Sequence, residues 1–177
     1  MADSDISRGE VLLNEYERVK DEQKARIGFR DNLLYATLGS MALTVTGAVT
    51  GSRAQVLLLL PVAALVLGWT YLVNDEKISA IGRYVREVLG PRLASVTGAD
   101  DLFGWESAHR DDRRRRSRKW LQLGVDLLTF CGTSAAAILG FWIHGPVNVA
   151  LVLVSVLELA AVGVLAWQIV VYADLRR

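Results

Sequence analysis

The chain has a single cysteine, Cys131, so no internal disulfide can form. No glycine-rich phosphate loop, no Cys and His spacing of a metal site and no nucleophile elbow is present. Neither a cofactor nor a metal is implied, and no catalytic residue stands out. The first 30 residues are charged throughout and lack the apolar core of a signal peptide, so no cleaved leader is expected and the first apolar segment would act as its own insertion signal. Most informative is where charge is missing. Twenty-one uncharged residues separate Asp31 from Arg53, and another twenty-one separate Arg53 from Asp75. Trp120 to Ala173 then runs 54 residues with two formal charges, Asp126 and Glu158.

A bilayer core of about 30 Å takes roughly 20 apolar residues of helix per crossing. These blocks therefore predict an all-α integral membrane protein with four transmembrane helices, arranged as two hairpins that turn at Thr50 to Arg53 and at His144 to Val147. The domains follow directly: a cytoplasmic amphipathic helix over 1–31, the first hairpin over 32–74, a cytoplasmic helix and loop over 75–119, the second hairpin over 120–173 and a tail over 174–177. Polar and apolar parts are segregated, so the overall hydrophobic content of 52% understates the spans.

Orientation follows from Lys and Arg. Six precede the first span, eleven lie in the middle segment and two in the tail, whereas the two turns hold one, Arg53. The positive-inside rule puts both termini and the middle segment in the cytoplasm. Trp69, Tyr71, Trp120, Trp167 and Tyr172 then fall near cytoplasmic ends and Trp142 near an outer end, as interfacial anchors.

Outside the spans, Leu12, Tyr16, Val19 and Ile27 recur at helical spacing over Ser7 to Arg30, with Glu22 set to pair with Arg26. This stripe is expected to pack on a cytoplasmic segment of the same chain or of a neighbouring copy. The second span should continue to Leu89 on the face of Ile78, Ile81, Tyr84, Val85 and Val88, with Gly90-Pro91 ending it. Leu102, Phe103 and Trp105 should pack against the cytoplasmic helices, with helix resuming by about Ala108. The basic run Arg113, Arg114, Arg115, Arg116, Arg118 and Lys119 suits anionic lipid headgroups, each cation contributing up to about 1 kcal/mol. Nucleic acid is not expected as a partner, because Asp111 and Asp112 adjoin the run and no stacking aromatics interleave it.

The two intramembrane acids are the candidate functional residues. An ionised side chain in a span costs at least about 2.5–3.5 kcal/mol, so an acid there is a functional hypothesis facing the bundle interior. Asp126 lies six residues after Trp120, about 9 Å along the helix, within reach of a cation such as Arg30 or Arg118. Glu158 lies near the middle of its span with no Lys or Arg at similar depth, and is expected protonated or hydrogen-bonded. A small or polar stripe follows Asp126 at Thr129, Phe130, Thr133 and Ala137, while Ser155 sits one turn before Glu158; such stripes let helices approach closely and exchange hydrogen bonds. Glu106 and His109 form one E-x-x-H, where a di-iron bundle needs two.

Four stretches carry a resemblance: Glu15-Tyr16-Glu17, Glu22-Gln23-Lys24, Arg26-Ile27-Gly28-Phe29-Arg30-Asp31-Asn32-Leu33-Leu34-Tyr35, and Gly68-Trp69-Thr70-Tyr71-Leu72-Val73-Asn74-Asp75-Glu76-Lys77. They resemble signature stretches of small integral membrane proteins of Streptomyces-like actinobacteria, a family with no assigned activity. The likeness spans nearly the whole chain and implies a multi-pass protein of a bacterial plasma membrane. A charged helix entering a transmembrane hairpin also resembles, more faintly, the SLATT membrane effector domains, which have two spans. Together these readings favour an oligomeric interaction or scaffold protein with anionic lipid as partner. The alternatives are an ion channel or membrane-perturbing effector using Asp126 and Glu158, and an enzyme acting on lipid from a cavity lined by Asp126, Thr129 or His109.

Overall fold

The computed structural model describes residues 7–99, 102–103, 115–146 and 148–173, and those residues are helical with no strand among them. Helix α1 (Arg8–Thr50) starts on a reciprocal cap, with the Glu10 amide donating to Ser7 Oγ at 3.2 Å and the Ser7 amide to Glu10 Oε2 at 2.8 Å. These bonds hold the Glu10 carboxyl below its ordinary pKa, so this cap is kept above the carboxylate range and lost as pH falls through it. Beyond Thr50 the chain turns through Ser52, whose φ of 50° is left-handed, and the Arg53 amide returns to Ala48 O at 3.2 Å.

A 3-10 turn (Ala54–Leu58) leads into α2 (Leu59–Tyr84). The helix does not stop at Gly90-Pro91 as the sequence suggests. A π turn (Val85–Leu89) widens the backbone so that the Gly90 amide bonds Val85 O, five residues back, and the turn accommodates a proline that has no N–H to donate. Helix α3 (Gly90–Thr97) follows, making one continuous helix from Ala54 to Thr97. Gly98 ends it at φ 67°, its amide bonded to Ala94 O.

Helix α4 (Arg115–Asp126), a second π turn (Leu127–Gly132) and α5 (Thr133–His144) form the third long helix. The residues around Ala108, where helix was expected to resume, lie outside the described part. Helix α6 (Val149–Tyr172) is capped by Asn148, whose side chain accepts from the Ala150 amide at 2.8 Å. Four of these continuous helices are long and apolar enough to cross a membrane.

The chain divides into two units. The first comprises residues of 1–29 and 74–115. Its core is Leu12, Leu89 and Leu93, with Tyr16, Tyr84, Leu102 and Phe103 packed against it. Phe103 stacks on Tyr16 at 4.1 Å, so the N-terminal stripe is covered by this chain's own segments; Trp105 lies outside the described residues. Ile27 is 38% exposed and off that face. Polar ties cross between its helices: Gln23 Nε2 donates to Ile78 O at 3.2 Å and Arg26 to Asn74 Oδ1 at 3.3 Å, while Arg26 also holds Glu22. Tyr84 donates its hydroxyl to the Glu15 carboxylate.

That last bond makes a measurable prediction. Tyr84→Phe should cost about 1 kcal/mol, as loss of one hydrogen bond typically does. Because the hydrogen bond to Glu15 raises the phenol above its usual 10, the contribution is present below pH 10 and disappears as pH climbs through the raised value. Chemical unfolding of the full chain followed at neutral and strongly alkaline pH should show the difference between wild type and Tyr84→Phe shrinking with pH.

The second unit comprises 30–73 and 116–177 where described. One core cluster joins Leu33, Tyr71, Leu72, Leu123, Phe130, Leu165 and Ile169; another joins Leu58, Ile138 and Phe141. Its burial is inverted relative to a protein in water. Leu43, Leu128, Ile143 and Leu157 are more than two-thirds exposed, whereas Thr37, Ser134, Ser155 and Glu158 are buried. An apolar exterior over a polar-bearing core suits a surface that meets lipid.

Candidate functional site

The buried face of α6 runs Ser155, Glu158, Val162, Leu165 and Ile169, the i, i+3, i+7 pattern of a helix with one side inward. Glu158 is 7% exposed, and its Oε2 is closed off with no hydrogen-bond partner. Asp126, on the last turn of α4, is 8% exposed but is engaged by polar or charged neighbours. The two acids thus differ in kind: one is provided for, the other is not. Midway along α1, Arg30 reaches Asp31 at 3.5 Å and lies 6.0 Å over the Tyr71 ring.

Through the π turn, with its extra residue, the inward face continues as Asp126, Phe130, Ser134, Ala137, Ile138 and Phe141. Of the expected stripe after Asp126, Phe130 and Ala137 are buried, while Thr129 and Thr133 lie half-buried beside them. Their chemistry is local as well. In the widened turn the Thr133 amide reaches Leu128 O, and the hydroxyls of Thr133 and Ser134 donate to the Thr129 and Phe130 carbonyls at 2.5 Å and 2.6 Å. They satisfy backbone groups of their own helix and do not bond across to another.

A cross-helix bond comes from Trp142, which the sequence placed at the interface. Its indole N–H donates to Ser155 Oγ at 2.8 Å, one turn from Glu158. Cys131 makes a second tie, to Val162 O at 3.9 Å. Thr37 and Ser134, both fully buried, were not singled out as interior residues by spacing alone.

Of the basic run, Arg113 and Arg114 lie outside the described residues, Arg115 and Arg116 are placed as helical backbone, Arg118 is exposed and Lys119 half-exposed. Glu106 and His109 also lie outside the described part. Among the described residues no group of three or more His, Cys, Asp or Glu is arranged to hold a metal. No family model, characterised protein or solved structure matches the chain.

Proposed function

We propose that this chain is an integral protein of a bacterial plasma membrane, with four transmembrane helices in two hairpins and cytoplasmic termini, acting as a self-associating interaction or scaffold module. The excess of Lys and Arg on the segments flanking the hairpins supports the orientation, and the charge of Arg118 and Lys119 at the start of the third span supports anionic headgroups as their partner. One observation carries the module reading. The first unit is made of segments expected in water and has its own core, yet it leaves Val11, Leu13 and Val96 exposed by 53%, 48% and 40%. Val11 and Leu13 stand on either side of the buried Leu12, and a second copy of the chain is the partner proposed to cover these apolar side chains.

A purified full-length sample in mild detergent tests this through its mass. Wild type is expected as a multimer, and Val11→Lys with Val96→Lys as a monomer, since both residues are exposed and their replacement spares the core. A monomeric wild type at every concentration would remove the self-association reading. The conduit reading keeps one favourable observation, the unpartnered carboxyl of Glu158. Ion flux into liposomes that Glu158→Gln abolishes would replace the scaffold with a channel.

A further inference from the structure

Three buried hydroxyls inside the second unit behave alike. Thr37, Ser134 and Ser155 each donate a hydroxyl hydrogen to a carbonyl of their own helix, at 2.8 Å to Leu33, 2.6 Å to Phe130 and 2.9 Å to Val152. What these hydroxyls still offer is oxygen lone pairs. The nearby donor, the Trp142 indole, is already used on Ser155. Glu158 sits on α6 between Ser155 and Val162, the two residues tied to Trp142 and Cys131, and Ser134 lies between those same two partners on the third long helix. The carboxyl and the Ser134 hydroxyl therefore occupy the same stretch of the bundle. An anion among acceptors finds no hydrogen to accept, and Oε2 accepts none. A cation reverses that. A proton turns the carboxyl into a donor that the surrounding oxygens can accept, and a hard alkali cation is ligated by the same oxygens.

We propose that Glu158 is the binding group of a monovalent-cation site inside the bundle, taking a proton or Na+ into a stretch that presents oxygen acceptors from Ser134 and Ser155. The other titratable groups on the packed helices lie away from this stretch or are already engaged. On the third long helix these are Arg118 and Lys119 near its start, Asp126, with polar neighbours, Cys131, bonded to Val162 O, and His144 at the exposed end, its ring nitrogen 3.2 Å from Gly140 O. Helix α2 contributes Tyr71 beside Arg30, and Arg53 stands exposed in the turn before it. Helix α1 contributes Arg30, Asp31 and the exposed Tyr35.

The inference rests on the membrane-spanning reading and is independent of self-association. Full-length wild type and Glu158→Gln in lipid nanodiscs are melted across a pH series, with NaCl or choline chloride at equal ionic strength. The amide of Gln keeps the shape and supplies its own N–H donors. If a proton is the ligand, the wild-type midpoint should rise relative to Glu158→Gln as pH falls, by roughly 3 °C per pH unit over the titrating range. If Na+ is the ligand, NaCl should raise the wild-type midpoint at fixed pH where choline chloride does not, and Glu158→Gln should ignore the exchange. Parallel responses of the two proteins to both pH and Na+ would overturn the proposal and leave Glu158 as a packing residue. Failure of the membrane reading shows separately, as release of the chain from native membranes by alkaline carbonate.

Discussion

Gly68→Leu is expected to prevent assembly of the second unit, while Gly163→Ala leaves it intact or slightly firmer. Both glycines lie inside long apolar helices, so intrinsic propensity treats them alike and favours Ala over Gly by about 1 kcal/mol. Their surroundings are opposite. A Cβ on Gly68 would stand 2.9 Å from Leu165 Cδ2 and 2.9 Å from Phe130 Cγ, whereas one on Gly163 meets nothing within 4 Å. Leu165 could yield at the end of its side chain, but the contact on Phe130 is the root of a fully buried ring held in the second π turn. Overpacking of this kind costs about 1–3 kcal/mol for modest additions, so Gly68→Ala should lose more from the clash than it gains from propensity. A leucine brings further carbons into the same space. Unfolding in mixed detergent micelles, followed by tryptophan fluorescence, should place Gly68→Ala below wild type, Gly163→Ala at or above it, and Gly68→Leu without a folded baseline. A Gly68→Leu protein that melts like wild type would mean that α2 does not approach Phe130 this closely.

That close approach marks the boundary of what could be read from residue order. Long uncharged runs announce four apolar helices because an unpaired charge in lipid is expensive, a rule that needs no knowledge of partners. The depth of Glu158 and its placement on an inward face with Ser155 follow from helical period alone. Both π turns are different in nature. Pro91 reads locally as a stop, yet with Leu89 and Leu93 both buried in one core the backbone widens and continues. The same device before Thr133 puts Ser134 in place of Thr133 on the inward face that Phe130 and Ala137 mark by helical spacing. Trp142 shows a further limit. Its position near a helix end suggested an anchor, but its N–H had a hydroxyl in reach on a neighbouring helix, and pairing distant in sequence leaves no local mark.

Truncating Phe130 should be the most damaging single change in the core, and a methyl on Gly68 should partly repair it. The ring is fully buried, lies 5.3 Å from the Tyr71 ring centroid and sits in the cluster that joins α1, α2, α4 and α6. In water, Phe→Ala costs about 3–5 kcal/mol, part of it the transfer of apolar surface. In the membrane proposed for this chain, lipid tails are as apolar as the core, so the transfer part is small and lost packing remains, roughly 2–3 kcal/mol. The space left by the ring is where a Cβ on Gly68 would project, since Phe130 Cγ and Cδ1 lie 2.9 Å and 3.0 Å from it. Gly68→Ala, damaging alone, should therefore become stabilising in the Phe130→Ala background, with a coupling of about 1–3 kcal/mol between neighbours in direct contact. Leu165 limits the repair because it crowds the same Cβ at 2.9 Å and is unchanged in the double variant. Four unfolding curves measure the cycle. Additive effects would separate Gly68 from Phe130 and make the glycine an ordinary helical residue; the expected change of sign would show that its missing side chain is what lets α2 lie against the π turn.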